Sequence, residues 1–353
     1  MRQRCFAKAA GLSTLAVLVL CGGVLADSGA AHRAQQNLPI ALGSSGGNVN
    51  DKTRIFCCSG TLGALVQDAQ GQYILSNSHV LALSGAGSAG QDISHRGMID
   101  ANCGVPAIVA DLTRFVAFTS GNNCCDAAIA QIRSGAVRND PSSATQPMIL
   151  DIGNPCSSTV TASINLPVRK SGRTTGFTTG NVSAVGVTVN VAYPKKCGSS
   201  GGTVRTFTNQ VAIGPSSFSA GGDSGSVIFD NGNHATALLF AGSSTTTFAN
   251  PIGSVLSSLG VSMVGSNCSP FHAPEEPSYD EEELGQLVSL LERHSARILA
   301  KPGTLGHGVG LTDDGRLEIV IFVEKIEGLQ HSEVTFRGHP VRFHDLGGPV
   351  YAR

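Results

Sequence analysis

The sequence predicts a mainly β fold, followed by a shorter segment of mixed α and β structure. Glycine is abundant, with 44 of 353 residues, whereas aromatic residues make up only 5%. Valine, serine and threonine are common between the glycines, and turn formers such as 68–71 (Asp-Ala-Gln-Gly) separate short apolar runs. Many short strands joined by tight turns are typical of barrels and sandwiches. With 41% apolar residues, the chain can fill the cores of two or three domains.

The first 26 residues have the pattern of a secretory signal peptide. A basic start over 2–8 precedes an apolar run over 9–25, and 24–26 (Val-Leu-Ala) is a small-residue cleavage site. The apolar run is slightly short for a membrane span, and the residue before Cys21 is bulkier than a lipoprotein signal requires. We therefore expect cleavage after Ala26 and a secreted or periplasmic protein without stable membrane insertion. An uncleaved anchor and a lipoprotein are the alternatives.

The cysteine count agrees with export. Without the signal peptide eight cysteines remain, and an even number in an exported chain is typical of disulfides. Two pairs are adjacent in sequence, and because neighbours on a strand face opposite sides, each cysteine is expected to have a different partner. Cys268 is expected to pair with Cys197 or Cys156. The eight are Cys57, Cys58, Cys103, Cys124, Cys125, Cys156, Cys197 and Cys268.

Charge and motif content argue against several classes of ligand. The formal net charge is −1 and only 14% of residues are charged, so the clustered Lys and Arg of a nucleic-acid surface are missing. Histidines at the spacing of a zinc finger are also missing, so a metal site is only a minor alternative to disulfides. We expect no cofactor and no metal, and the sequence does not indicate an oligomeric state.

Three short segments suggest a chemistry. The stretch 221–226 (Gly-Gly-Asp-Ser-Gly-Ser) places Ser224 between glycines, which permit a sharp turn and expose amide N–H groups. His79 lies at the end of an apolar run, and Asp126 directly precedes another. A serine hydroxyl is a poor nucleophile until a base takes its proton. The order is His79, Asp126, Ser224, with gaps of 47 and 98 residues.

This order and spacing resemble those of the trypsin-like serine peptidases over roughly residues 40–267, and differ from those of subtilisins and α/β-hydrolases. Within that superfamily, 168–176 is similar to the segment that opens the second barrel in α-lytic protease and the streptogrisins. Other runs are similar to bacterial trypsin-like proteins akin to the plant NARROW LEAF peptidases. Those runs are 60–66, 218–226, 239–243 and 249–252.

The resemblance implies two six-stranded antiparallel β-barrels within a protease domain over 50–267. The first barrel is expected over about 50–138 and the second over about 148–267. His79 and Asp126 would then lie on the first barrel and Ser224 on the second, with the site in the cleft between them. Residues 27–49, which are small, polar and without periodicity, are expected to form a flexible lead-in.

The resemblance also implies a role for each residue of the site. Ser224 would attack a carbonyl carbon, His79 would take and return its proton, and Asp126 would hold the imidazole. The amides of Gly222 and Ser224 would form the oxyanion hole. Asp111 and Asp151 are the alternative carboxylates. Asp126 is preferred because an apolar strand follows it immediately.

Two further features follow from the same resemblance. Asp223 needs a partner if it is buried, and by position Lys170 is expected, with Arg173 as the alternative. Phe218, six residues before Ser224, would form the floor of the primary pocket, which argues against a preference for Arg or Lys. The opposite wall would come from Phe240, Ala241 and Gly242, so an apolar or small substrate side chain is expected.

Beyond residue 267 the composition changes. A Pro- and Glu-rich linker over 268–279 leads to leucines at helical spacing over 280–299 and an apolar strand over 317–323. We expect a small separate α+β module over 280–353, of unknown role. Its glycines over 306–310 are not a dinucleotide fingerprint, since no strand–turn–helix unit surrounds them.

The function expected from these patterns is a serine endopeptidase that acts on proteins or peptides. Two alternatives remain open. One is a binding protein of the same fold that is catalytically weak or inactive. The other is an esterase that uses the same three residues, since acyl transfer does not require an amide substrate.

Overall fold

The computed structural model describes residues 29–104, 106–199, 202–268, 279–326 and 334–352. The predicted signal peptide and most of the predicted linker lie outside these residues. The helices are α1 (Ala30–Arg33), α2 (Ser78–Leu81), α3 (Ile252–Leu259) and α4 (Glu281–Leu299).

The strands follow one another from residue 44 to residue 352. The first eight are β1 (Ser44–Asn48), β2 (Gly60–Leu62), β3 (Ala64–Asp68), β4 (Gly71–Ser76), β5 (Asp92–His95), β6 (Ala107–Phe115), β7 (Asn122–Asn123) and β8 (Ala128–Ile132). The next seven are β9 (Pro167–Gly172), β10 (Gly176–Pro194), β11 (Gly202–Gly214), β12 (Val227–Asp230), β13 (Ala235–Gly242), β14 (Thr247–Pro251) and β15 (Ser262–Met263). The last five are β16 (Thr304–Leu311), β17 (Leu317–Val323), β18 (Val334–Phe336), β19 (His339–Asp345) and β20 (Tyr351–Ala352).

The N-terminal strands close into an antiparallel barrel. Pairing runs from β3 through β4, β8, β6 and β5 to β1, and β1 pairs with β2. Only Gly63 separates β2 from β3, so these two form one bent strand and the barrel has six. A Cβ on Gly63 would lie 2.1 Å from the carbonyl oxygen of Gly225, which explains the glycine at the bend. The interior is filled by fully buried aliphatic residues such as Leu65 and Ile129.

A second antiparallel barrel of six strands follows. Its order is β9-β10-β11-β14-β13-β12, and β12 pairs back with β9. Its core contains Val168, Val182, Ile213 and Leu239, which alternate with outward-facing residues as strand geometry requires. The prediction of a mainly β chain with two six-stranded antiparallel barrels is therefore confirmed.

The N-terminal segment departs from its prediction as a flexible lead-in over 27–49. In its described part, 29–49, β1 is a strand of the first barrel, and Ile40 and Leu42 are fully buried in the core. All five residues of β1 are buried, so no polar face alternates with an apolar one. The prediction was wrong because a strand made of Ser, Gly and Asn has no hydrophobic period.

The C-terminal segment is not structurally separate. Strand β16 pairs with β10 outside the second barrel, β17 pairs with β16 and in parallel with β19, and β20 pairs with both β10 and β13. Phe322 of β17 packs edge-on against Phe248 of β14, with ring centroids 5.4 Å apart. The predicted domain boundaries stay a prediction, but the expectation of a module standing apart is corrected, because this segment extends the second barrel's sheet.

The helix of this segment follows its prediction closely. α4 begins after Asp280, whose side chain accepts hydrogen bonds from the amides of Glu282 and Glu283 as an N-cap. Its buried face, formed by Leu287, Leu290 and Leu291, packs with apolar residues of β16 and β17. Among the described residues, no helix combines the length and apolar character needed to cross a bilayer.

Six cysteines form three disulfides. The pairs are Cys57–Cys103, Cys58–Cys197 and Cys156–Cys268. The adjacent residues Cys57 and Cys58 have different partners, as expected, and Cys58–Cys197 joins the two barrels. Cys124 and Cys125 are free, so the expectation that every cysteine is paired is wrong for this adjacent pair.

Candidate active site

The loop that carries Ser224 is a tight turn between the barrels. The amide of Asp223 donates to the carbonyl of Ala220, and that of Ser226 to the carbonyl of Asp223, at 3.1 and 3.0 Å. Gly222 has φ +99°, a conformation that side chains disfavour. The carbonyl of Ser224 accepts a hydrogen bond from the amide of Thr61 in β2, at 2.8 Å. Ser224 therefore lies on the second barrel and is fixed against the first.

His79 and Asp126 lie together on the first barrel. His79 belongs to α2, which directly follows β4, and Asp126 lies just before β8. The Nδ1 atom of His79 is 2.5 Å from Oδ2 of Asp126, and its backbone amide donates to Oδ1 at 3.1 Å. Asp126 is fully buried. Because the carboxylate accepts from Nδ1–H, the other ring nitrogen, Nε2, is the one that can accept a proton.

A tyrosine that the sequence did not indicate completes the surroundings of Asp126. The hydroxyl of Tyr193, at the end of β10, donates to Oδ2 of Asp126 at 2.9 Å. Burial holds the pKa of Tyr193 well above its usual value, and the neighbouring Asp126 charge raises it further. Tyr193 is therefore a neutral hydrogen-bond donor. No sequence motif marks it, since it lies 67 residues beyond Asp126.

The two alternative carboxylates lie elsewhere. Asp111, in β6, is bound by Arg133, whose Nη2 is 2.7 Å from Oδ1 of Asp111. Asp151 is paired with His32, at 3.0 Å between Oδ2 and Nε2. Of the three candidate carboxylates, the structure brings Asp126 to His79.

The hydroxyl of Ser224 and the amides beside it form the other half of the site. Ser224 is fully buried, and its Oγ donates to the carbonyl of Phe240 at 3.3 Å. Among the hydrogen bonds of the described residues, none joins Ser224 Oγ to His79. The amides of Gly222 and Ser224 likewise donate to no acceptor within the described part of the chain. Two amides at one turn can accept a developing negative charge.

Asp223 is held by several donors and one cation. Its carboxylate accepts from the amides of Thr174 and Ala220, at 2.8 and 2.9 Å, and lies 3.6 Å from Nζ of Lys170. Lys170 and Asp223 are both fully buried. Burial lowers the pKa of Lys170, and the Asp223 charge opposes that shift. The alternative partner, Arg173, binds Asp100 instead, with Nη2 2.7 Å from Oδ1.

The residues predicted to form the primary pocket are buried. Phe218 lies in the core of the second barrel with Val182 and Ile213, and Phe240 packs on Phe207, with ring centroids 4.8 Å apart. Neither ring is exposed to solvent. Ala241 and Gly242 lie in β13 and pair with β20. The structure thus places Phe218 inside the barrel core, whereas the sequence predicted it at a pocket floor.

A cavity of about 620 Å³ lies beside His79. Its wall includes the loop before β2, the end of β10 and Ala352 of β20. Burial raises the pKa of Asp51 to about 6, which the nearby His79 partly offsets. Among the described residues, the Lys and Arg side chains on the cavity wall are Lys52, Arg54, Lys195 and Lys196.

Comparison with known proteins gives similarity to solved structures alone. No protein-family profile and no curated protein sequence matches the chain. A glutamic-acid-specific serine protease, described as using a novel histidine triad in substrate binding, is 21% identical, with a TM-score of 0.42, and covers 64% of this chain and 100% of its own. Thermobifida fusca protease A and Cellulomonas bogoriensis chymotrypsin are each 18% identical, with TM-scores of 0.41 and 0.40, and each covers 64% of this chain and 99% of its own.

The strand pairing of the chain itself identifies the fold. That pairing closes two six-stranded barrels in sequence. His79 and Asp126 lie at the edge of the first, and Ser224 lies in a loop of the second. This arrangement is the chymotrypsin-like two-barrel fold that the sequence resemblance implied.

Proposed function

We propose that this chain is a secreted or periplasmic serine endopeptidase that hydrolyses peptide bonds through His79, Asp126 and Ser224. The observation that carries the proposal is the double contact of Asp126 with the ring and the backbone amide of His79. The amides of Gly222 and Ser224 donate to no acceptor among the described residues. A carboxylate, an oriented imidazole, a serine and an anion-binding turn are the components of serine-protease catalysis.

In the proposed reaction, Oγ of Ser224 attacks the peptide carbonyl carbon while its proton passes to Nε2 of His79. The negative charge on the carbonyl oxygen is accepted by the amides of Gly222 and Ser224. His79 then gives the proton to the leaving amine, and an acyl-enzyme remains. Water, deprotonated by His79, releases the acyl group and restores Ser224. Asp126 and Tyr193 orient the imidazole and stabilise its protonated form.

The compartment is part of the proposal. Three disulfides are typical of an oxidising environment, and the sequence pattern of residues 1–26 agrees with export. An apolar or small side chain before the cleaved bond remains the proposed preference. No charged residue lies at position 218, where Phe218 occupies the barrel core.

The proposal is tested with a fluorophosphonate probe, which reacts with an activated serine. The purified chain should be labelled, and Ser224→Ala should lose labelling and peptide hydrolysis by about 10⁴-fold or more. Ser257→Ala, at an exposed position of α3, is the matched control and should behave like the parent chain. Labelling that persists in Ser224→Ala would exclude Ser224 as the nucleophile.

One observation favours a second candidate function, a binding protein without turnover. The hydroxyl of Ser224 is buried and bonded to the Phe240 carbonyl, not to His79. A chain that binds peptides and never reacts with the probe would support that alternative. Comparison of casein with small esters as substrates separates a peptidase from an esterase.

A further inference from the structure

The last described strand, β20, lies against β10 and β13, two strands with residues that contact the site. Tyr351 pairs in parallel with Ala192 of β10, whose amide donates to the carbonyl of Val350 at 2.9 Å. On its other edge β20 pairs antiparallel with β13, Tyr351 with Gly242 and Ala352 with Ala241. Since β10 and β13 are not partners of one another in the barrel, β20 bridges them.

The barrel residues that pair with β20 adjoin residues that contact the site. Ala192 precedes Tyr193, whose hydroxyl binds Asp126. Ala241 follows Phe240, whose carbonyl accepts from Ser224. Ala352, at the end of β20, also lines the cavity beside His79. The C-terminal strand thus reaches the site from the side of the second barrel.

This placement matters for access to Ser224. An extended peptide commonly binds a protein by adding a strand to a free sheet edge. The edge of β13 at Ala241 and Gly242 is one residue from the carbonyl that holds Ser224 Oγ, and β20 already pairs with it. A peptide that approached Ser224 along this edge would need the positions that Tyr351 and Ala352 occupy.

We propose that β20 is an internal ligand of the peptide groove, which it blocks until the strand is displaced. The groove is here the edge of β13 formed by Ala241 and Gly242. The inference rests on the proposed function, under which this edge binds the substrate peptide. Because β20 occupies a strand position, the competing partner is an extended peptide.

The attachment of β20 suits a displaceable strand. The chain is anchored at Leu346, which is fully buried and whose carbonyl accepts from Oγ of Ser244 at 2.9 Å. Gly347 and Gly348 follow, with φ of +65° and +143°, conformations that glycine adopts readily. Beyond them, Val350 is buried among Tyr193, Phe207 and Phe240. Tyr351, by contrast, is 53% exposed, so release of β20 would leave the anchor in place.

The first test compares the full chain with a chain that ends after Val350. The shortened chain keeps the buried anchor and loses the strand that pairs with β13. It should react with the fluorophosphonate probe at Ser224 at least 10-fold faster than the full chain. Tyr351→Phe keeps every backbone pair and is the matched control, with an unchanged rate. Equal rates for the shortened and full chains would overturn the proposal while leaving the proposed function intact.

The second test does not depend on catalysis. Both chains carry Ser224→Ala, and each is titrated with a fluorescent hexapeptide that corresponds to residues 348–353 (Gly-Pro-Val-Tyr-Ala-Arg). The shortened chain should bind the peptide at least 10-fold more tightly than the full chain. Equal affinity would overturn the proposal. If neither the full nor the shortened chain reacts with the probe when Ser224 is intact, the proposed function fails. The titration then still decides whether β20 occupies the groove.

Melting curves and circular dichroism check that the shortened chain is folded. If it is not, Ala352→Pro in the full chain replaces it, since proline removes the N–H that a strand pair requires. The same increase in probe reaction and peptide binding is then expected. An unchanged Ala352→Pro chain would overturn the proposal.

Discussion

The two barrels contribute to the site in different ways. The first supplies His79 and Asp126 through contacts between its own strands and turns, and its six strands come from residues 44–132. The second supplies Ser224, but its strand β10 runs for 19 residues and also pairs with β16 and β20 from the end of the chain. The contact between His79 and Asp126 thus lies within one barrel, although Tyr193 of the second barrel also binds Asp126. The strands beside Ser224, in contrast, pair with sequence from the end of the chain.

The largest expected effect tests the part played by the first barrel. Asp126→Asn should lower kcat by about 10⁴-fold, because an amide cannot hold His79 in the required tautomer. Steady-state kinetics on a peptide substrate measures this loss. Asp111→Asn is the matched control and should change kcat little, since Asp111 pairs with Arg133 at the surface. A loss of less than 10-fold in Asp126→Asn would break the assignment of the carboxylate.

The second prediction concerns the dependence of the second barrel on the end of the chain. Phe322→Ala should lower the free energy of unfolding by about 3–5 kcal/mol, as loss of a buried aromatic ring does. Phe322 packs on Phe248 inside the barrel's aromatic cluster. Urea unfolding measures the change, with Phe336→Ala, at a 39% exposed ring, as control.

If residues 280–352 were an independent unit, Phe322→Ala would give a separate early transition. The main transition would then stay where it is in the parent chain. That result would remove the contrast between the two barrels.

The smallest expected effect concerns Asp51, in the loop beside His79, and its contribution to stability. Burial raises the pKa of Asp51 from 3.8 to about 6, so the folded state disfavours its charged form. Stability should therefore fall as the pH rises from about 4 to about 6, by at most about 3 kcal/mol. Asp51→Asn should remove this fall, raising the free energy of unfolding at pH 7 and leaving it unchanged near pH 3.5.

Urea unfolding at the two pH values measures the effect of Asp51→Asn. Asp313→Asn, at an exposed position, is the control and should show no gain at pH 7. An equal effect of Asp51→Asn at both pH values would mean that the carboxyl does not titrate as its burial requires.

The local parts of the site could be predicted from the sequence. The glycines around Ser224 demand a turn, and the apolar runs next to His79 and Asp126 place both residues at strand ends. Spacing along the chain therefore singled out His79 and Asp126, which the structure brings into contact, whereas the role of Ser224 as their partner stays a prediction. The strand over 317–323 was predicted with the same bounds, because six of its seven positions are apolar.

What could not be predicted depends on register and on remote packing. Valine alternates with small or polar residues over 182–191 in the sequence. The strand nevertheless runs over Gly176–Pro194, and only its full register brings Tyr193 to Asp126. The strand β1 was missed because small residues replace the usual apolar face. A Cβ on Gly46 would lie 2.4 Å from Cγ of Leu62, so close packing requires glycine there.

The attachment of the C-terminal segment also had no sequence signal. Its apolar residues would fill a core of their own as well as a core shared with a barrel. Phe322 and Val350 could be buried in either kind of core. In the structure both belong to the aromatic cluster of the second barrel. A pattern of apolar residues indicates which surface is buried, but it does not indicate the element against which that surface packs.

The pairing of β20 with β10 and β13 has a consequence for the order in which the molecule is completed. A growing chain leaves the ribosome from its N-terminus, and domains fold as their residues emerge. Ala192 and Ala241 are available long before Tyr351 and Ala352 have been made. Every described residue of both barrels has therefore been synthesised before the strand that covers the edge of β13. The strand that covers this edge is the last described piece of the chain to be synthesised.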